Sequence, residues 1–265
     1  GGLFRVRQFT QDDAHVFCRP DQIDEEVSSL LKYTKEVYET FGLPISFRFA
    51  TKPDKAMGDS ALWQKAEESL ESVLNKLNIK YEIKPKDGAF YGPKIDIHAK
   101  DSIGREHQVA TIQLDFQMPE RFKLEYHDTE DGVQRPVMIH RAIFGSFERF
   151  LGVLIEHYAG AFPIWLSPVQ VSILPISEKQ NEWADKVYAE LKTEGIRVEI
   201  NKNNETLGKK IRASEMQKIP YLLVIGDKEI EAESVAVRKR NDGDMGPMKI
   251  DKFLEKIKEE IISKI

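Results

Sequence analysis

"YEIKPKDGAFYGPKIDIHAKDSIGREHQVATIQLDF", residues 81–116, holds extended runs joined by a turn near Ser102–Gly104, and its last run decides the fold. In "HQVATIQLDF", residues 107–116, Ala110, Ile112, Leu114 and Phe116 share one face and Thr111, Gln113 and Asp115 the other. Alternate side chains of a strand face opposite sides, so this strand has an apolar back and a polar front. The run ending at Lys100 reads as its antiparallel neighbour across the short turn. Gln108 is out of step with Thr111 and Gln113, and joins their face only if the strand is bulged nearby.

The same design opens the chain. In "RQFTQDDAHVFC", residues 7–18, strand alternation puts Phe9, Gln11, Asp13 and His15 on one face, with Arg5 and Arg7, and Phe4, Val6, Ala14 and Val16 on the other. Two strands of this kind are expected to line the two sides of one cleft. A solvated sheet face can carry any polar residues, so the pattern needs partners before it becomes a site.

Around these strands the periodicity turns helical. Pro20 and Asp21 start a helix whose apolar residues Ile23, Val27, Leu30, Leu31, Tyr33, Val37 and Tyr38 run to about Phe41. "ISFRFAT" (45–51) is a strand, and Ser60 caps the amphipathic "ALWQKAEESLESVLNKLN" (61–78). "PVMIHRAIFGSFERFLGVLIEHYAG" (136–160) passes from strand to a helix over about 145–158, with Phe147, Phe150, Leu151, Leu154 and Ile155 as its stripe. Runs of strands with helices outside the sheet predict an α+β antiparallel domain over residues 1–166.

"FPIWLSPVQV" (162–171), with two prolines, sets a domain boundary at Ser167. Beyond it strands and helices alternate: "VQVSILPIS", a helix over 178–194, "RVEINKN", a helix over 207–218, "YLLVIGDKEI", "SVAVRKR" and a final helix "DKFLEKIKEEIISKI". Residues 167–265 are therefore read as a compact α/β domain.

Composition narrows the function. At 265 residues and 41% hydrophobic the chain can bury a sizeable core, and no apolar run approaches a membrane span, so a soluble, cytoplasmic protein is expected. The single cysteine, Cys18, excludes an internal disulfide framework. Formal charge is −5, and residues 167–265 hold 18 basic against 18 acidic side chains, so any RNA contact must be a local patch. The chain opens on Gly1-Gly2 and strand-like residues, as though cut inside a hairpin, and is expected to be part of something longer.

"RVRQFTQDDAHVFC", "GAFYGPKIDIH", "QVATIQLDF", "PVMIHRAIFGSFERF", "FPIWLSPVQV", "IPYLLVIGDKE" and "VAVRKR" together resemble the threonyl-tRNA synthetase family of class II aminoacyl-tRNA synthetases. They span almost the whole chain in the family's order. The resemblance implies a partial class II catalytic domain followed by an anticodon-binding domain. It also implies threonine-tRNA ligase activity: ATP converts threonine to threonyl-adenylate, and the threonyl group passes to the 3′ end of tRNA(Thr).

It further implies a zinc ion held by two histidines and a cysteine. His15 and His140 match the histidines, and the cysteine is expected upstream. Cys18 lies three residues from His15, on the opposite face of a strand, and reads as a small buried apolar residue. His98, His107, His127 and His157 match no ligand position. A metal that demands a hydroxyl ligand makes sense, because an apolar pocket separates near-isosteres such as threonine and valine only about a hundredfold.

For ATP the resemblance implies Phe9 beneath adenine and Arg149 above it, with Arg5 and Arg149 on the phosphates and Gln108 and Thr111 nearby. A flat aromatic and a guanidinium can sandwich a purine. It assigns Asp13 to the threonine hydroxyl and Gln11, Tyr91 and Gln113 to the amino-acid pocket, with Lys94 nearby. Mg2+ is expected with ATP, and Glu148 is a candidate ligand. Glu229 and Arg238 match base-reading positions for the anticodon, with Asn204 and Lys218 as further candidates. Lys209, Lys210 and Arg212 are candidate phosphate contacts, weighed against an ordinary solvated helix face.

A homodimer formed through an upstream segment is implied too. An arginine that holds the α-phosphate is expected ahead of Gly1, so the isolated 265 residues are expected to be catalytically deficient. The alternative is a non-catalytic synthetase-like paralogue that binds tRNA or mRNA. Such a protein has no need of a threonine pocket.

Overall fold

The structure, a computed structural model, describes residues 1–129 and 132–264. Its contacts divide the chain into two units, Gly1–His157 and Tyr158–Ile265. The division falls upstream of Ser167 because the second unit holds the linker's carbonyls. Arg240 donates to Ala161 O and Phe162 O, Lys218 to Ala159 O, and Arg197 to Trp165 O and Ser167 O.

In the first unit β1 (Ala14–Cys18) is followed by α1 (Ile23–Thr40), β2 (Ile45–Ala50), α2 (Ser60–Lys76), β3 (Tyr81–Lys84), β4 (Lys94–Lys100) and β5 (Glu106–Asp115). Then come α3 (Gln117–Arg121), the small hairpin β6 (Tyr126–His127) and β7 (Val133–Gln134), β8 (Val137–Ala142) and α4 (Phe147–His157). Six strands form one sheet in the order β1-β8-β5-β4-β2-β3, antiparallel except where β2 meets β3.

The apolar backs of these strands build the core. Ile95, Ile97, Ile112, Leu114 and Ile139 are fully buried, and α1 adds Val27, Leu31 and Tyr38. Each such side chain contributes about 1.5–3 kcal/mol by leaving water. Tyr38 does more than fill space. Its hydroxyl lies 2.7 Å from Ile143 O and 3.1 Å from Val109 O, so α1 braces β5 and the segment that follows β8.

Several local expectations need correction. The opening strand is shorter than its alternation suggested: Gly2–Phe4 is a 3-10 turn, and only residues 14–18 join the sheet. The cap of α2 is Asp59, which accepts from Ala61 N at 3.1 Å, rather than Ser60. Leu151 and Ile155 of α4 are exposed, while Gly152 and Val153 take the buried side.

The second unit contains β9 (Val171–Pro175), α5 (Asn181–Thr193), β10 (Val198–Ile200), α6 (Leu207–Met216), β11 (Tyr221–Ile225), α7 (Asp227–Glu231), β12 (Ser234–Lys239), β13 (Gly243–Lys249) and α8 (Ile250–Ile262). Its sheet runs β10-β9-β11-β12-β13, with β10, β9 and β11 parallel and the last two antiparallel. β9 and β11 are buried along their whole length, as expected of continuous apolar strands covered on both faces. "GDKEI" turns out to be mostly the short helix α7, and β13 is an edge strand that the sequence did not announce.

Candidate active site

Residues 5–13 cross the front of the sheet with one bridge, Gln11 to Ser146, as their ladder contact among the described residues. What holds them is a set of polar anchors. The Asp12 carboxylate accepts from Arg141 Nη1 at 3.0 Å, Ile143 N at 2.9 Å and Phe144 N at 3.0 Å. Thr10 N donates to the Glu148 carboxylate at 3.1 Å, and Phe147 N donates to Thr10 O at 2.9 Å. Arg5, Arg7, Phe9, Gln11, Asp13 and His15 are exposed, while Phe4, Val6, Asp12, Ala14 and Val16 are half-buried. The expected alternation thus survives in burial at both ends of the segment, but not over residues 7–11, where Gln8 and Thr10 are exposed as well.

Arg5, Phe9, Gln11, Gln108, Thr111 and Arg149 all line one pocket of about 350 Å³. Gly145 shapes its wall: φ is +56°, and a side chain there would meet Val109 O at 2.9 Å. That left-handed turn lets the chain reverse from β8 into α4 and bring Arg149 over β5. Glu148, the candidate magnesium ligand, also accepts from Ser146 Oγ at 2.7 Å. These hydrogen bonds, from Ser146 and then the backbone, hold its carboxyl below the usual range. It acts as an anchor of the first turn of α4.

Beside this pocket, β1 and β8 put His15 directly opposite His140, with ring centroids 4.6 Å apart. His140 Nε2 lies 2.9 Å from the fully buried carboxylate of Asp115. A carboxylate accepts, so in that contact Nε2 is the donor and the ring orientation is set by Asp115. Tyr91 packs 5.0 Å from His140 and donates to Gln113 Oε1. Gly92 permits this placement, since a Cβ there would stand 1.8 Å from Leu114 O. Burial, and then the charges of Asp115, Asp13 and Asp96, push the Tyr91 phenol up to about 12, so it stays a neutral donor near pH 7.

The two groups are joined by a residue that the sequence reading passed over. Asp96, buried on β4, accepts from Gln108 Nε2 at 2.7 Å and Thr111 Oγ1 at 2.9 Å and pairs with Lys94 Nζ at 2.5 Å. Gln113 Nε2 in turn donates to Thr111 Oγ1 at 3.3 Å. Gln108 reaches this row because the β4–β5 register shifts between Ile97 and His98, the bulge on which its membership depended. Asp96 was detectable, since it alternates with Lys94 and His98; Asp12 and Arg141 carried only the weaker signal of charges on faces that alternation made apolar.

Cys18 faces away from His15 and is buried, and burial followed by Glu26 and Asp21 pushes its thiol up to about 11. A thiol so placed is a packing group. Among the described residues no three His, Cys, Asp or Glu side chains converge as a metal site. A larger cavity, about 900 Å³, is lined by Phe17, Leu124, Tyr126 and His127 and contains none of the candidate site residues.

In the second unit Lys218 and Arg238 line one pocket of about 470 Å³, and Asn204 lines another of about 420 Å³. A bulge beside Arg238 breaks the β12–β13 register there. Glu229 sits in α7, where its carboxylate accepts from Gly226 N at 2.9 Å and caps the helix. Lys210 is not a surface phosphate contact: it is buried, and its Nζ donates to Pro175 O at 2.8 Å.

The first unit thus carries a six-stranded, mostly antiparallel sheet with a pocket lined by Phe9 and Arg149, and the second a five-stranded mixed sheet. The tRNA synthetase class II core domain (G, H, P, S and T) matches residues 1–158, and the anticodon binding domain matches residues 170–260. The chain belongs to the class II aminoacyl-tRNA synthetase family.

Within that class its relatives are the threonine enzymes. It is 52% identical over 263 residues to the threonine–tRNA ligase of Caldanaerobacter subterraneus, covering 99% of this chain and 41% of that protein. The threonine–tRNA ligase of Acetivibrio thermocellus is 53% identical over the same shares, 99% and 41%. Among solved structures, the RNA binding domain of threonyl-tRNA synthetase from Cryptosporidium parvum superposes with a TM-score of 0.93 at 43% identity, covering 98% of this chain and 66% of that one. The chain spans about two-fifths (41%) of the length of the curated relatives it matches. No helix among the described residues is long and apolar enough to cross a membrane.

Proposed function

We propose that this chain supplies the amino-acid and nucleotide sites of a threonine–tRNA ligase, together with its anticodon-binding domain. The observation that carries this reading is the convergence of two subsites on one polar sheet face. One is the pocket lined by Phe9, Gln108, Thr111 and Arg149, and the other is the cluster of His15, His140, Tyr91 and Gln113, linked to it through Asp96.

In the activating step a threonine carboxylate oxygen attacks the α-phosphorus of ATP and pyrophosphate leaves. The chain's own residues position the reactants. Phe9 and Arg149 hold adenine between an aromatic ring and a guanidinium, and Arg5 and Arg149 offset phosphate charge as it builds. Gln11, Tyr91 and Gln113 orient the amino acid around its amino group, and Asp13 accepts from its hydroxyl. Magnesium accompanies the triphosphate.

His15 and His140 fit the imidazole part of a zinc site: they face each other across neighbouring strands, and Asp115 orients His140 from behind. When bound there, zinc supplies a Lewis acid that a hydroxyl-bearing amino acid can ligate and valine cannot. Two imidazoles are only part of the usual donor set, so the 265 residues by themselves are expected to be deficient in activation. In the second unit, Arg238 and Glu229 present a forked donor and an acceptor suited to base edges, with Lys218 and Asn204 beside separate pockets.

The test is amino-acid-dependent ATP–pyrophosphate exchange by the full-length gene product. Threonine is expected to support exchange, and valine to fall more than about a hundredfold below it, beyond what an apolar pocket achieves. Equal exchange with both amino acids, or with neither, contradicts the reading.

A further inference from the structure

The turn between β4 and β5 carries side chains that the two subsites leave unused. Asp101, its side chain fully buried, accepts from Ile103 N at 3.1 Å, Arg105 N at 2.8 Å and Arg105 Nε at 2.6 Å. His107 Nε2 stands 2.9 Å from the same carboxylate. Held this way, the His107 ring stacks on Phe4, with centroids 4.7 Å apart and planes at 29°. The Arg105 guanidinium lies 5.8 Å from the centre of the same Phe4 ring. From α4, Gly152 completes the seat: a Cβ there would stand 3.4 Å from the ring.

The consequence appears at Arg149. Its Nε donates to Phe4 O at 3.2 Å, and its Nη1 donates to Gln108 O at 3.2 Å. One anchor is thus the carbonyl of a stacked residue, and the other is the carbonyl of the residue after its stacking partner. A guanidinium has five N–H donors, so two anchors still leave donors for the pocket. Pre-orienting a long side chain also removes part of the entropy cost of ordering it when a ligand arrives.

Resting on the reading that Arg149 contacts ATP, we propose that His107 is a positioning residue for the nucleotide: oriented by Asp101 and stacked on Phe4, it fixes the carbonyls that aim Arg149 into the pocket. What the position needs is a flat ring held at a set angle. Acid–base chemistry by the imidazole has no part in it.

The experiment is threonine-dependent ATP–pyrophosphate exchange by the full-length gene product, with KM for ATP, KM for threonine and kcat measured separately. His107→Ala and Phe4→Ala are each expected to raise KM for ATP about fivefold, the worth of one stacked ring pair, with the other two constants within about twofold. His107→Phe keeps a ring on Phe4 without the Asp101 hydrogen bond and is expected to recover part of the rise in KM for ATP. Arg149→Ala is the reference, with a larger rise.

Wild-type KM for ATP in His107→Ala, beside a raised value in Arg149→Ala, overturns the inference and spares the site reading. Equal impairment in His107→Phe and His107→Ala overturns it as well. An Arg149→Ala enzyme with normal KM for ATP shows that the reading of Arg149 has failed, and the inference falls with it. If His107→Ala does not fold, Phe4→Ala decides: an unchanged KM for ATP there overturns the inference.

Discussion

Asp12→Ala is expected to lower the stability of the first unit by about 3 kcal/mol and to abolish threonine-dependent pyrophosphate exchange. The Asp12 carboxylate collects one arginine and two backbone N–H groups from a part of the chain some 130 residues away. Its removal leaves Ile143 N and Phe144 N without their acceptor and reduces Arg141 to its contact with Asp12 O. The segment that presents Phe9, Gln11 and Asp13 then loses its main anchor, so both subsites suffer together. Asp12→Asn keeps a carbonyl acceptor and is expected to recover about half of the stability, because a neutral acceptor forms the weaker bond. Urea unfolding checks the first effect and exchange kinetics the second. A loss below about 0.5 kcal/mol, the range of an ordinary surface change, contradicts this role.

Asp96→Ala is expected to cost a similar amount, about 3–4 kcal/mol, because it strands the Lys94 ammonium and two further donors in a largely buried row. Its kinetic signature differs from that of a single-subsite change. Gln108 and Thr111 face the nucleotide pocket, while the Thr111 hydroxyl also accepts from Gln113, whose Oε1 accepts from Tyr91. KM for ATP and KM for threonine are therefore both expected to rise, by about tenfold each if one charged hydrogen bond's worth is lost at either end. Steady-state kinetics on the folded fraction decides this. A change confined to one substrate shows that the row does not couple the subsites.

Much of this arrangement was legible because strand alternation is a local property. Thr111 and Gln113 read directly as a polar front, and Cys18 was correctly turned away from His15 by an odd offset. Gln108 was conditional on a bulge, and the bulge is present. The failures have a common physical cause in contacts distant in sequence. Residues 5–13 alternate like a strand, yet they are held by Asp12, Thr10 and Glu148 rather than by a ladder.

Asp12 falls on the side that alternation makes apolar, and its partners come from the end of β8 and the two residues after it. β13 was invisible for another reason: "GDMGPMK" contains two glycines and a proline, which depress strand propensity and are tolerated there because the strand lies at the sheet edge. Lys210 looked like a solvated helix lysine, and only the packed fold shows its ammonium turned inward onto Pro175 O.

The central claim is that the His15–His140 pair serves a hydroxyl-selecting metal in a threonyl-adenylate site. Zinc content and threonine-dependent pyrophosphate exchange, measured together on the full-length gene product and its His140→Ala variant, test it most directly. The wild type is expected to carry about one zinc per chain and to activate threonine, and the variant to lose both at once. A folded His140→Ala protein that keeps its zinc and still activates threonine contradicts the account.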